Sequence, residues 1–345
     1  MTMPMQRLPR NAVTAFADEV LRGVGQVMFQ NNPLSGLLFL IGIFVSSWQA
    51  GLYAVFGTAV ATATARVLGA PGGSIGSGLY GLNGTLTGLG LATFLSHDVT
   101  LVIYVALAAM SVTVVMAAIQ DAVGANGYPL TGPFILTTWI FVGAVYAYAN
   151  VLPASALGSP HLPKGPPPAH LPFVVSDVVA TILKGVSQVM LQENPWTGAL
   201  FLAGIAIGSR ISAAAAVLGS TVALAVAWAL GAPPHLIRAG VYGFNAVLVA
   251  MALGGVFFVL HPTTVALSVI AVCFSSILYG STTAILTPIS LPALTAPFVI
   301  TVWLCLLARA SLQRLQDLSP GTPGTPEENL RMRQRPAPSD MPDPR

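Results

Sequence analysis

The chain has 345 residues, of which 54% are hydrophobic and 7% charged, with a net charge of +3 and a mean hydropathy of +0.78. A soluble domain carries about 25% charged residues. So few charges cannot cover a water-facing surface, and the sequence is that of an integral membrane protein. Basic residues gather near the ends, at Arg7, Arg10 and Arg22 and again at Arg309, Arg314, Arg331, Arg333 and Arg335. Positively charged flanks favour the cytoplasmic side, so both termini are expected there. The tail arginines are interspersed with Asp, Glu and Pro, which argues against a nucleic-acid-binding arm.

Residues 1–11 read as a cytoplasmic tail with no signal peptide, because no apolar run with a small-residue cleavage site opens the chain. A short, polar segment at 12–29 holds Asp18, Glu19 and Arg22. A helix needs about 20 apolar residues to cross a bilayer, and runs near 33–48, 50–69, 78–95, 99–119 and 131–149 are candidate spans. Residues 151–173, with "LGSPHLPKGPPPAHLPF", are too rich in proline for a helix and read as an extended linker. A second short leader at 174–191 precedes candidate spans near 195–209, 211–231, 240–260, 263–285 and 293–311. Residues 313–345 are expected to be a disordered cytoplasmic tail. Cys273 and Cys305 lie inside apolar runs, with neither a metal-ligand spacing nor a disulfide framework, and act as small hydrophobes.

The halves 12–150 and 174–312 repeat one another. "GVGQVMFQNNPLSG" is answered by "GVSQVMLQENPWTG", "SGLYGLNGTLTG" by "AGVYGFNAVLVA", and "LTGPFILTTW" by "LTAPFVITVW". Gln26 and Gln188 are 162 residues apart, as are Asn83 and Asn245, and Thr131 and Thr295 are 164 apart. Five spans per half is an odd number, so the second half enters the membrane the other way up. The expected fold is an all-α membrane protein of two inverted repeats around a central pore. Each repeat has five transmembrane helices and one short tilted helix, and in such folds the functional site lies where the repeats meet.

Carboxylates and histidines fall in tails, linkers and span ends, which argues against proton or sodium coupling and against a gas channel built on paired histidines. At membrane depth the polar groups are uncharged: Gln26, Gln188, Asn83, Asn245, Thr131 and Thr295. Burying an amide or hydroxyl without a partner costs roughly 4–8 kcal/mol. Asn83 and Asn245, in Gly-rich helix breaks, are expected to brace neighbouring backbone near the pore. The Gln and Thr pairs suit a line of hydrogen-bond acceptors. Phe29 and Phe244, with repeat partners Leu191 and Leu82, are ordinary core or lipid-facing residues if taken singly. Opposed across a pore, they would form a narrow slot that passes a planar neutral solute and strips hydrated ions.

These doubled motifs resemble the urea transporter family, from about residue 15 to about 312. The resemblance implies a passive urea channel, not an enzyme, with no cofactor or metal, assembled in the lipid bilayer as a homotrimer with one pore per protomer. It assigns the leaders 12–29 and 174–191 to partial-span helices whose C-terminal carbonyls face the pore. It implies that Gln26 and Gln188 supply oxygens at the two ends of the filter, and other members carry Glu at the position of Gln188. Thr131 and Thr295 would flank the constriction. Val27 and Val189 would line the path with backbone carbonyls, Phe29 and Phe244 would be slot aromatics, and Leu86 and Leu248 wall residues. The chain departs from the fully aromatic pattern at Leu82 and Leu191, so one slot is expected to keep a phenylalanine pair and the other to be leucine-walled. Composition and short tails favour a bacterial inner membrane. The alternatives are a facilitator of the same fold for an amide, ammonia or water, and, more distantly, a membrane enzyme or a receptor. No nucleophile–histidine pair, metal spacing or carboxylate pair supports an enzyme.

Overall fold

A computed structural model describes residues 11–124, 127–163, 165, 175–316 and 324–334. The first half holds α1 (Ala12–Gln26), α2 (Pro33–Ser46), α3 (Trp48–Val67), a single turn α4 (Gly72–Gly76), α5 (Leu79–Phe94), α6 (Val99–Val123) and α7 (Gly132–Gly143). The second repeats that order with α8 (Val175–Ser187), α9 (Pro195–Gly208), α10 (Arg210–Ala229), α11 (Pro234–Arg238), α12 (Gly243–Met251), α13 (Pro262–Leu286) and α14 (Ala296–Ala308). Two further helices follow, α15 (Gln313–Gln316) and α16 (Pro326–Gln334). No strand forms among the described residues; one isolated bridge joins Leu95 to Pro153, where the linker begins.

Local chemistry sets these boundaries. The repeated Asn-Pro is a helix-start device. Asn32 and Asn194 adopt the same extended conformation (φ −140°, ψ 121°), and their side chains accept from the N–H two residues on. Pro33 and Pro195 then take the first helical position, where no N–H is needed. Ser47 and Ser209 break the chain between consecutive helices and cap α3 and α10. Helices α6 and α10, together with the segment Pro262–Ile289, are long and apolar enough to cross a membrane. At about 1.5 Å per residue, the 15 residues of α1 and 13 of α8 fall well short of that.

Within the first half, α3 and α5 touch backbone to backbone. A Cβ at Gly57 would lie 2.4 Å from the Gly84 carbonyl oxygen, and one at Gly84 would lie 2.5 Å from the Gly57 carbonyl oxygen. Small residues at such crossings let membrane helices approach closely. The halves meet along α2 and α9. Phe39 and Phe201 stack there with centroids 5.2 Å apart, and Thr197 Oγ1 donates to the Gly42 carbonyl.

Two expectations change. Residues 240–260 do not form one regular helix. After Met251 the backbone widens into a π turn, Ala252–Val256, and Gly255 leaves helical geometry (φ 169°, ψ −20°). The first-half counterpart α5 runs straight through to Phe94. The tail, expected to be disordered from residue 313, holds α15 and α16 among its described residues, with Leu315 and Asn329 buried. The hydrogen-bonded anchors of α16 are polar groups meeting backbone, with no long apolar stripe, so its composition resembled that of a free tail. Glu327 Oε1 accepts from the N–H of Ile211 in the first turn of α10. Burial alone would raise the Glu327 carboxyl. Hydrogen bonds from Ile211, Ser209 and neighbouring backbone outweigh that and hold it below the ordinary carboxylate value.

Candidate pore-lining site

The α1 helix ends at Gln26, and the chain turns back through Val27, Met28 and Phe29, with the Gln30 N–H returning to the Gly25 carbonyl. The second half makes the same turn at Gln188–Leu191, with Gln192 N–H returning to the Ser187 carbonyl. The residue at the tip has left-handed backbone in both, Phe29 at φ 58° and Leu191 at φ 59°. Helices commonly end this way, but with glycine. For a bulky residue the conformation is strained by about 1–3 kcal/mol and is held only by its surroundings. The amides of Gln30 and Gln192 supply that hold by donating to the carbonyls of Met28 and Met190.

Gln26 Nε2 donates to the Ser77 carbonyl at 2.9 Å, and Gln188 Nε2 donates to the Ala239 carbonyl at 3.0 Å. Each amide nitrogen is thereby fixed on the stretch leading into α5 or α12. Each amide oxygen remains an acceptor. Among the described residues, no hydrogen bond reaches the carbonyl oxygens of Val27 or Val189.

Thr131 and Thr295 lie next to left-handed Leu130 (φ 54°) and Leu294 (φ 49°), immediately before α7 and α14. Their hydroxyls bond each other at 2.7 Å, with the side chains 3% and 2% exposed. The asparagines hold this geometry. Asn83 Nδ2 donates to the Leu130 carbonyl, and its Oδ1 accepts from the Phe134 N–H. Asn245 does the same with Leu294 and Phe298. The tryptophans cross between halves: Trp139 Nε1 donates to the Pro292 carbonyl and Trp303 Nε1 to that of Tyr128, both at 2.8 Å.

The apolar positions surround these groups. Leu82, Leu86 and Leu248 are buried, as is Phe244, while Phe29 and Leu191 are partly exposed. Phe29 and Phe244 make their ring contacts with other aromatics. The Phe29 ring meets Phe257 (5.9 Å between centroids) and Phe298 (6.1 Å), whereas Phe244 meets Tyr279 (5.5 Å). Phe29 follows the end of α1, which is bonded to the start of the segment carrying Leu82. Leu191 follows the turn bonded to the start of the segment carrying Phe244. These bonds group Phe29 with the segment of Leu82 and Leu191 with the segment of Phe244, and exchange of the halves interchanges the two positions. Sequence reading missed Phe257 and Tyr128, whose rings are 4.6 Å apart. The Gly-Gly before "VFF" was the available signal.

Most of the described carboxylates pair with cations or serve helix ends. Asp18 pairs with Arg22, Glu19 with Arg66, Glu193 with Lys184 and Asp177 with Arg238, while Asp98 caps α6. His97 bonds the Ala92 carbonyl and His261 caps α13; His170 and the terminal carboxylates Asp317, Asp340 and Asp343 lie outside the described residues.

Comparison with known proteins agrees with this architecture. Residues 17–310 match the family described as "Urea transporter". The chain is 30% identical over 318 residues to urea transporter 1 of Capra hircus, covering 91% of this chain and 82% of that protein. It is 32% identical over 299 residues to urea transporter 1 of Rattus norvegicus, covering 86% and 77% respectively. With the match spanning the doubled turns, the threonine pair and both asparagine braces, the chain belongs to the urea transporter family.

Proposed function

We propose that this protein conducts urea passively across a membrane through a narrow slot. Hydrogen-bond acceptors line its edge: the amide oxygen of Gln26 and carbonyl of Val27 at one end, the Thr131–Thr295 hydroxyls at the middle, and the carbonyl of Val189 and amide oxygen of Gln188 at the other. Phe29, Leu82 and Leu86 wall one end, and Leu191, Phe244 and Leu248 the other. The observation that carries this reading is the doubled bonding itself, in which the two glutamine-bearing turns make matching bonds at an offset of 162 residues and the matching threonines of the two halves bond each other. Urea is planar and neutral with four N–H donors, so acceptor oxygens replace its lost water while flat apolar walls exclude bulkier solutes. A monovalent ion would lose hydration against these walls without a countercharge.

The matching bonds at offsets of 162 and 164 residues support two inverted repeats related by a pseudo-twofold axis through Phe39–Phe201 and Thr131–Thr295. In this reading α1 and α8 are the tilted partial-span helices. Family resemblance adds a homotrimer with one pore per protomer, the basic flanks favour cytoplasmic termini, and the composition and short tails favour a bacterial inner membrane. The test is stopped-flow light scattering of proteoliposomes under an inward urea gradient, with glycerol as control. Fast urea uptake with little glycerol uptake is expected. Equal rates for both, or no urea flux from correctly inserted protein, would send the substrate back to another small neutral solute.

A further inference from the structure

The two halves differ at the end of α12, where the π turn Ala252–Val256 replaces the regular helix of α5. A π turn leaves backbone carbonyls out of the normal ladder and is frequently found at functional sites. Here two of those carbonyls are claimed by the tail. Asn329 Nδ2, on α16, donates to the carbonyls of Gly255 (2.7 Å) and Val256 (3.0 Å), and Asn329 is 1% exposed. Pro326 sits so close to Gly255 that a Cβ added there would lie 2.5 Å from it. Glu327 fastens the same helix to the start of α10.

The next residue after the clamped carbonyls is Phe257. Its ring stands edge-on to Phe29 at 90° and lies 4.6 Å from Tyr128. The Tyr128 carbonyl is itself held by Trp303. Phe29 has strained left-handed backbone and is only partly buried, so its ring direction depends on these neighbours. Where α5 runs straight, the counterpart of Phe257 is Leu95, which continues the helical bonding to the Leu91 carbonyl. The break in α12, the tail helix and the added aromatic therefore occur together, on one side of the molecule.

We propose that α16 tunes the selectivity of the Phe29 end of the pore, with Asn329 as a positioning residue: by clamping the Gly255–Val256 carbonyls it holds Phe257 against Phe29 and fixes the slot width. This rests on the reading of Phe29 as a slot wall. Without the clamp, the carbonyls find other partners, Phe257 shifts, and the Phe29 ring gains freedom. A wider solute then gains relative to urea.

The experiment compares urea and thiourea permeability of full-length protein in proteoliposomes, normalised to inserted protein. Phe29→Leu tests the underlying reading and should raise the thiourea-to-urea ratio. Asn329→Ala should raise it by about threefold, the scale of losing one edge-to-face ring contact. Asn329→Asp, which keeps the shape but cannot donate, should behave alike, and Asn329→Gln, which keeps the donors, should restore part of the wild-type ratio. Phe257→Leu should reproduce the shift, with Asn329→Ala adding nothing in that background. Thr197→Val, which removes a bond at the α2–α9 contact, controls for general destabilisation and should leave the ratio unchanged. A ratio moved by Phe29→Leu but not by Asn329→Ala overturns the tail's role. Additive shifts for Asn329 and Phe257 overturn the coupling between them. A ratio untouched by Phe29→Leu overturns the slot assignment beneath both.

Discussion

At the scale of single residues, the shared bond between Thr131 and Thr295 determines how each substitution should act. One hydroxyl donates to the other, so the pair offers spare lone pairs and one free O–H to a passing solute. Thr131→Val leaves Thr295 without its partner, and that hydroxyl can turn to the solute. The same holds in reverse, so each single variant should slow urea flux only mildly. Thr131→Val with Thr295→Val removes both hydroxyls of the buried pair. At about 1 kcal/mol per lost hydrogen bond, urea permeability in vesicles should fall by about tenfold or more, well beyond the product of the single effects. Unchanged flux in the double variant would remove the threonines from the path. Gln26 acts alone at its end, with its amide nitrogen bonded to Ser77 and its oxygen left to accept. Gln26→Leu should therefore cost about three- to tenfold in urea flux, and a wild-type rate would count against its place in the filter.

At the scale of elements, what the sequence revealed and what it hid divide along a physical line. Apolar runs mark helices because each must bury or face lipid over its whole length, and the expected starts at 33, 99 and 195 coincide with α2, α6 and α9. The asparagine braces were legible too, since a lone amide in a Gly-rich stretch must find backbone to bond. The left-handed residues Phe29, Leu130, Leu191 and Leu294 were not, because nothing in a Phe or Leu codes for a conformation that its neighbours impose. Nor was α16, whose burial depends on carbonyls made free by a break 70 residues earlier. Packing of α5 against α3 also differs between halves in a way that only coordinates expose. Gly57, Gly84 and Gly88 correspond to Gly219, Ala246 and Ala250, so the second crossing carries an extra methyl at two points. A Cβ at Gly84 would lie 2.5 Å from both the Ala61 Cβ and the Gly57 carbonyl oxygen. Gly84→Ala should thus destabilise by about 1–3 kcal/mol through overpacking, while Ala246→Gly should cost about 1 kcal/mol or less beyond its lost contacts. Thermal unfolding in detergent, followed by tryptophan fluorescence, would separate the two. Equal shifts would mean that the α3–α5 contact is looser than its geometry.

At the scale of the whole molecule, the distribution of charge bears on how flux is driven. A coupled transporter needs a group inside the membrane that binds or releases the driving ion, and such groups are carboxylates or histidines. Of the described carboxylates, Asp18, Glu19, Asp177 and Glu193 are engaged by cations, Asp98 and Glu327 serve helix N-termini, Glu328 caps the start of α16, and Asp121 is exposed in the last turn of α6. The bonds made by Gln26, Gln188 and the threonine pair themselves involve only neutral groups, while Arg22 and Lys184 close the bases of the two turns onto Asn31 and Glu193. Without a coupled ion, unsaturated flux through one pore has the same permeability in either direction, whatever the order of the walls along it. Urea flux should accordingly depend on the urea difference alone. In vesicles with an imposed proton or sodium gradient of either sign, the initial rate should match that without one, and inward and outward rates at equal urea differences should agree within about twofold, the spread that half a kcal/mol allows. A rate that follows the ion gradient would require a titrating group on the path, and the peripheral pairs Glu19–Arg66 and Glu193–Lys184 would be the first to substitute in finding it.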